Sequence, residues 1–347
     1  MRRGCVVGKF WPPHAGHQFL IDEALLECDE LHLIVIGRPE ERPLPAVRAG
    51  WLRGLYPAVR VYETVDDIPN ESPPWAERTV EVLGFTPDVV FTSETYGETW
   101  AAAMQCEHTL IDLHRRQYPV SGSEVRDYPI EYWHRLSAPV RRYYARRVVL
   151  IGAESTGKTT LAEELAGSYD TLWVPEWARL YGAARSFGSE DWEVDVALFD
   201  LIELNQPLLE SAMAEQCNGI LICDTDLLAT LIWHEAYRPD ATEERARIAA
   251  AHARHRATYE TALYLLAVDD TPWVQDGTRN RGEQSGHGSR PWFTQRFREE
   301  LAARGETVIE LKGDWEQRLE TAQAAVAALA ETRDQLAGLA PRLGTTL

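Results

Sequence analysis

Lysine is nearly missing from this chain. Of its 35 Lys and Arg residues only three are lysines, Lys9, Lys158 and Lys312. The arginine bias reflects genome composition. Against it, a retained lysine marks a position where a compact ammonium is not exchangeable for a planar guanidinium. Positive charge is scarce as a whole, because 54 Asp and Glu leave a formal net charge of −19. That excess speaks against a general nucleic-acid-binding surface and requires any anion site to be built locally. Cysteine is sparse too: five residues, scattered, with no CxxC pair. This argues against a disulfide framework or a zinc site and for a reduced, cytoplasmic setting. No run approaches about eighteen apolar residues, and the N-terminus lacks an apolar segment with a cleavage site. Neither a membrane span nor a secretory signal is expected.

What is present suits two domains of ordinary size: 347 residues, 45% of them hydrophobic. Residues 1–147 carry a net charge of −4 and the remainder −15, so the chain changes character near residue 147. A basic, Pro-containing stretch, "YWHRLSAPVRRYYARR", fits a connector. We expect one domain over residues 1–136, a connector over 137–147 and a second domain over 148–347. Strand, loop, helix and strand follow one another in "RRGCVVGKF", "HQFLIDEALLEC" and "ELHLIVIG". The same alternation restarts at "VVLIGAESTGKTTLAEELAGSY". The expected fold class is α/β, with two Rossmann-like domains whose parallel sheets are flanked by helices.

The sharpest local signal is "GAESTGKT", Gly152 to Thr159, which fits G-x-x-x-x-G-K-[ST] between a strand and a helix. Gly152 and Gly157 let backbone N–H groups turn toward phosphates, Lys158 neutralises them, and the Thr159 hydroxyl is placed for Mg²⁺. "ILICDTD" ends a strand in Asp224 and Asp226, a Walker-B-like position for a Mg²⁺ carboxylate or ordinary strand-end aspartates. "TLWVPEWAR" places Glu176 before Arg179. This is either a base with a substrate- or phosphate-binding arginine, or a helix cap paired with Arg. "WVQDGTRNRGEQSGHGSR" carries Arg279, Arg281 and Arg290 in a Gly-rich loop that reads as a lid over the transferring phosphoryl group, or as a plain loop. No guanine-reading NKxD occurs, so a small-molecule kinase is the better reading than a GTPase.

A second polar loop, "GKFWPPHAGH", follows the first strand, where open α/β sheets bind ligands. Gly8 and Gly16 permit close backbone approach, and Pro12 and Pro13 stiffen the turn. His14 and His17 are suited to donate N–H groups to phosphate oxygens and to stabilise a leaving pyrophosphate. The bland alternatives are a metal-binding pair or capping histidines. Farther on, "YPVSGSEVR" offers Ser121, Ser123 and Arg126 at a helix start.

"GKFWPPHAGH" with "VSGSEVR" resembles the paired signatures GxFxPxHxGH and SxTxxR of the HIGH-type nucleotidyltransferases, with Ser123 in place of Thr. Joined to a P-loop domain, the chain resembles the NadR-type bifunctional proteins from about residue 4 to 315. "PNESPPW", "VVFTSETYGE", "PEWAR", "DTD" and "WVQDGTR" agree, although "EQSGHGS" is longer than expected. The resemblance implies a nicotinamide-mononucleotide adenylyltransferase followed by a ribosylnicotinamide kinase. The cofactor would be Mg²⁺, with ATP as co-substrate and the riboside, the mononucleotide and NAD as ligands. It implies ATP contacts at Gly8, Lys9, Phe10, His14, Gly16, His17, Ser121, Ser123 and Arg126 in the first domain. In the second they fall at Gly152, Ser155, Thr156, Gly157, Lys158, Thr159, Thr160, Arg279 and Arg281. Trp75 would stack on nicotinamide, Arg179 and Asp226 would bind substrate, and Thr159 and Asp224 would hold the metal. The identity of the base among Glu176, Asp224 and Asp226 stays open. The rivals are the same architecture acting on another vitamin nucleotide, and a nucleotide-sensing regulator or transporter-coupled trap with one inactive domain. The amphipathic C-terminal stretch packs on its own domain or forms a subunit contact.

Overall fold

The computed structural model describes residues 1–185, 196–260, 262–272 and 289–331. Two compact units divide between Val140 and Arg141, one holding Met1–Val140 and the other Arg141–Thr332. The first unit runs β1 (Arg3–Gly8), α1 (Ala15–Glu27), β2 (Glu30–Gly37), α2 (Pro45–Leu55), β3 (Arg60–Val65), α3 (Ser72–Leu83), β4 (Val89–Thr92), α4 (Gly97–Met104), β5 (Glu107–Leu110) and α5 (Gly122–Asp127). Its five strands are parallel in the order β3-β2-β1-β4-β5. The chain steps one way from β1 and then returns to the other side, which opens a crevice at the strand carboxyl ends.

Strand alternation explains the two cores of this unit. Leu31, Leu33 and Val35 of β2 join Val6 of β1 in a core with α1 and α2 residues. Ile34 and Ile36, pointing the other way, join Cys5 in a core with Trp75 of α3 and Trp100 of α4. Continuous apolar strands are what a sheet covered on both faces requires.

The expected connector is largely helical, since α6 (Ala138–Tyr144) occupies it and the next strand begins at Arg146. That helix carries the division between the units. The second unit continues with β6 (Arg146–Gly152), α7 (Lys158–Ser168), β7 (Leu172–Val174), α8 (Trp177–Arg185), α9 (Val196–Ala214), β8 (Ile220–Asp224), α10 (Leu227–Tyr237), α11 (Thr242–Arg256), β9 (Ala262–Ala267), α12 (Arg290–Arg304), β10 (Thr307–Leu311) and α13 (Trp315–Glu331). Its sheet is also parallel, in the order β10-β9-β6-β8-β7. Both domains are therefore the α/β class expected. In each, the loop after the central strand, β1 or β6, is the one that carries the Gly and Lys residues. No described helix is long and apolar enough to cross a membrane. All five cysteines are free thiols.

Candidate functional site

In the first unit the loop after β1 is anchored by Phe10, whose backbone takes φ +45° and whose ring is 1% exposed in the core. Of this residue, expected at ATP, only the backbone remains available to a ligand. His14 is the N-cap of α1. Its Nδ1 accepts the Gly16 amide hydrogen at 3.2 Å, while His17 Nδ1 accepts the His14 amide hydrogen at 3.4 Å. This is a capping box built from two imidazoles, so the capping reading and the site reading describe the same residues. An Nδ1 that accepts carries no proton, and each neutral ring therefore holds its hydrogen on Nε2. The ring centroids lie 3.9 Å apart. Burial first, then His17, Arg115 and Arg126, push His14 far below the ordinary histidine range. Burial and then Arg115 lower His17 to about 4. Both rings are neutral near pH 7, with one N–H donor each. A Cβ on Gly16 would stand 3.1 Å from the His14 ring, which explains the glycine between them.

Lys9 is held by carboxylates. Its Nζ lies 2.9 Å from Asp66 Oδ2 and 3.6 Å from Glu41 Oε1. Arg48, fully buried, donates to the Lys9 carbonyl oxygen at 2.7 Å and to Glu41 Oε2 at 2.5 Å. Glu41, Arg48 and Asp66 were not legible as site residues, because each comes from a different segment and none sits in a motif.

The distant stretch "VSGSEVR" converges on the same loop. Ser121 caps α5, accepting the Glu124 amide hydrogen at 3.2 Å, and Glu124 accepts the Ser121 amide hydrogen at 2.7 Å. A Cβ on Gly122 would come 2.8 Å from the Trp11 carbonyl oxygen, so glycine lets the helix start close on the loop. Arg126 donates to that same oxygen and, at 3.0 Å, to Ser123 Oγ. Its guanidinium lies 4.3 Å from the Trp11 ring centroid. Arg115, in the polar loop before α5, is a further cation that acts on both histidines and pairs with Glu94 at 2.9 Å.

Trp75, expected to stack on nicotinamide, lies largely in the core. Its indole is 8% exposed and packs with Ile34, Ile36 and Trp100. Pro73 and Pro74 in the first turn of α3 start the helix so that this face lies on the sheet.

In the second unit Gly152 leaves β6 at φ +148°, where a Cβ would collide with the Ala267 carbonyl oxygen, and Gly157 takes φ +81° as the N-cap of α7. Ser155 between them takes φ +55°. The Thr156 hydroxyl and the Lys158 ammonium both donate to the Ala153 carbonyl oxygen, at 2.8 and 2.7 Å. Thr159 Oγ1 donates to Asp224 Oδ2 at 2.5 Å, and Thr160 lies exposed in the first turn of α7. Burial and then Glu176 raise the pKa of Asp224, while Lys158, the Thr159 hydrogen bond and Arg179 oppose the shift. Five of the expected residues thus share one electrostatic field. Glu176 immediately precedes α8, with Arg179 Nε 3.9 Å from its carboxylate. A hydroxyl and a carboxylate in contact are hard oxygen donors that fit Mg²⁺. No cluster of three or more His, Cys, Asp or Glu at metal-binding distance exists among the described residues.

Asp226, expected at the substrate, is deeply buried. It is 2% exposed, and its Oδ1 caps α10 by accepting from Leu228 N at 2.9 Å and Ala229 N at 3.3 Å. Its Oδ2 accepts from Tyr264 Oη at 2.7 Å and faces His252 Nε2 at 3.5 Å. A carboxylate so engaged ties the start of α10 to Tyr264 of β9. Arg279 and Arg281 lie outside the described residues. Arg290, from the same stretch, opens α12 and donates to the Thr271 carbonyl oxygen at 2.8 Å.

With this geometry in view, comparison with known proteins is informative. Residues 147–318 match the AAA domain family. The trifunctional NAD biosynthesis/regulator protein NadR of Escherichia coli K12 is 26% identical over 302 residues, which cover 80% of this chain and 72% of that protein. Its counterpart from Salmonella typhimurium LT2 is 27% identical over 303 residues, with the same coverage. A solved NadR protein in complex with NR superposes with a TM-score of 0.71 at 23% identity, over 96% of this chain and 97% of that one. A NadR complex with NAD and AMP-PNP gives 0.70 at 21% identity, with the same coverage. These two likenesses establish the fold.

Proposed function

We propose, from the homology of this chain to the NadR proteins, that it is a bifunctional enzyme of NAD synthesis and salvage. It phosphorylates nicotinamide riboside with ATP, giving nicotinamide mononucleotide and ADP. It then adenylylates the mononucleotide with a second ATP, giving NAD and pyrophosphate. The observation that carries the reading is the presence of two different phosphate devices in one chain. One is the neutral His14–His17 pair under Arg126. The other is the P-loop, whose Thr159 meets Asp224.

We assign adenylyl transfer to residues 1–136 and phosphoryl transfer to residues 148–347, with 137–147 between them. In the first domain the mononucleotide phosphate attacks the α-phosphorus of ATP. The two Nε2–H groups, Lys9 and Arg126 stabilise the departing pyrophosphate by fixed hydrogen bonds and charge. In the second, the riboside 5′-hydroxyl attacks the γ-phosphorus. Glu176 takes its proton, since Asp224 is already committed to Thr159. Lys158 and the loop amides bind the phosphates, and Arg179 orients the acceptor. Thr159 and Asp224 are the residues to hold Mg²⁺, which would offset charge on the β- and γ-phosphates.

The test is to incubate the purified chain with nicotinamide riboside, ATP and Mg²⁺ and to follow the products by chromatography. The mononucleotide should appear first and NAD afterwards, with ADP and pyrophosphate both released. Absence of NAD when the mononucleotide itself is supplied would sink the first-domain assignment.

A further inference from the structure

Arg318 of α13 lies far along the chain from the P-loop and belongs to no motif, yet it is 3% exposed and every nitrogen of its guanidinium donates a hydrogen bond. Nη1 donates to the Thr156 carbonyl oxygen at 3.0 Å. Nη2 donates to the Val268 carbonyl oxygen at 2.9 Å and to Asp270 Oδ1. Nε donates to the Gly313 carbonyl oxygen at 3.0 Å, and Asp270 Oδ2 in turn accepts the Gly313 amide hydrogen at 2.8 Å. One side chain thus ties the P-loop to the ends of β9 and β10. Asp270 supplies the charge that makes burial of the guanidinium tolerable.

The contact to Thr156 has a directional consequence. In a planar trans peptide the C=O and the following N–H point in opposite directions. Holding the Thr156 oxygen against Arg318 therefore turns the Gly157 N–H away from Arg318. Gly157 is also the N-cap of α7, where helix N–H groups and the helix dipole favour an anion. We propose that Arg318 is a positioning residue for nucleotide binding, which keeps the P-loop amides preorganised for the phosphates of ATP. The inference rests on the kinase reading above and names a residue that touches neither substrate nor phosphate.

The experiment compares R318M and R318K with the wild-type full-length chain. In riboside phosphorylation, R318M should raise KM for ATP about tenfold or more, the size of one misdirected charge-assisted hydrogen bond. The change in kcat and in KM for the riboside should be smaller. R318K, which keeps the charge but not the fork, should fall between the two. Adenylylation of added mononucleotide reports on the other domain of the same molecules and should stay at the wild-type rate. Wild-type KM for ATP in R318M overturns the inference. So does a fall in kcat alone that follows the loss of folded protein in thermal unfolding. Should R318M not fold, R318K carries the same criterion. Should the wild type not phosphorylate the riboside, the substrate reading falls. Calorimetric titration with Mg-ADP then decides the inference, one binding event being expected to weaken in R318K.

Discussion

His17 accepts the amide hydrogen of His14 through Nδ1, and that bond decides which end of its ring carries the proton. The same holds for His14, whose Nδ1 accepts from Gly16. Both rings are expected as neutral Nε2–H tautomers, and nitrogen-15 NMR at pH 6 should find them so; an imidazolium there would contradict the capping bonds that each Nδ1 accepts. The depressed values also bear on stability. Between about 4, the value for folded His17, and about 6.5, the ordinary value, the unfolded chain binds more protons than the folded one. Stability of the first unit should therefore rise with pH across that window and fall as acid is added. Unfolding midpoints measured at several pH values would show the slope, and H17Q should flatten it.

The two phosphate devices predict opposite single variants. H17A removes an N–H donor from the adenylylation site and should slow NAD formation roughly 10²–10³-fold, as loss of one preorganised donor does elsewhere. Riboside phosphorylation should persist. K158A should abolish phosphorylation and leave adenylylation of added mononucleotide intact. If both variants lose both activities while remaining folded, the assignment of one reaction to each domain fails.

The distinction between motif and neighbour explains what could be read beforehand. The strands, both phosphate loops and the pairing of "GKFWPPHAGH" with "VSGSEVR" were legible, because each obeys a local rule of period, turn chemistry or spacing. Residues that act by meeting across the fold were not. Glu41, Asp66 and Arg48 reach Lys9 from separate segments, and Arg318 reaches Thr156 over 162 residues. Trp75 and Asp226 show the converse. Each stands at a suggestive position, but which face of the helix an indole takes, or whether an aspartate caps or projects, is settled by packing. The helix over Gly97–Met104 carries little local signal, being eight residues long and starting without a side-chain cap.

Asp226 yields a prediction that separates fold from function. Burial opposes its ionisation, but the hydrogen bonds from His252 and Tyr264 and the backbone amides outweigh it and hold the carboxyl below the ordinary range. The group stabilises the folded state above its unfolded value of about 3.9, and that stability is lost as pH falls through the folded value. D226A leaves the Tyr264 hydroxyl and two helix amides without their acceptor, and should cost about 1–3 kcal/mol. Among molecules that remain folded, KM for the riboside should be unchanged. A well-folded D226A with a strongly raised riboside KM would restore the substrate role.

Asp224 should govern the acid limb of phosphorylation. Burial, then the negative charge of Glu176, raise its pKa, so the ionised form is lost at a pH above the ordinary aspartate range. The ionised carboxylate is the form that accepts from Thr159 and suits Mg²⁺. Protons should accordingly compete with Mg²⁺ as pH falls through the raised value, so phosphorylation at limiting Mg²⁺ should decline there, while adenylylation in the same chain keeps its own profile. Chelation of Mg²⁺ should stop phosphorylation, and D224N should lower it roughly a hundredfold or more at pH values where the wild-type carboxylate is ionised. E176Q removes one of the two causes of the shift. It should lower kcat through loss of the proposed proton acceptor, yet its acid limb should move to lower pH than in the wild type. A limb that stays in place in E176Q would mean that Glu176 and Asp224 do not share a field in the working enzyme, and that the limb belongs to another group.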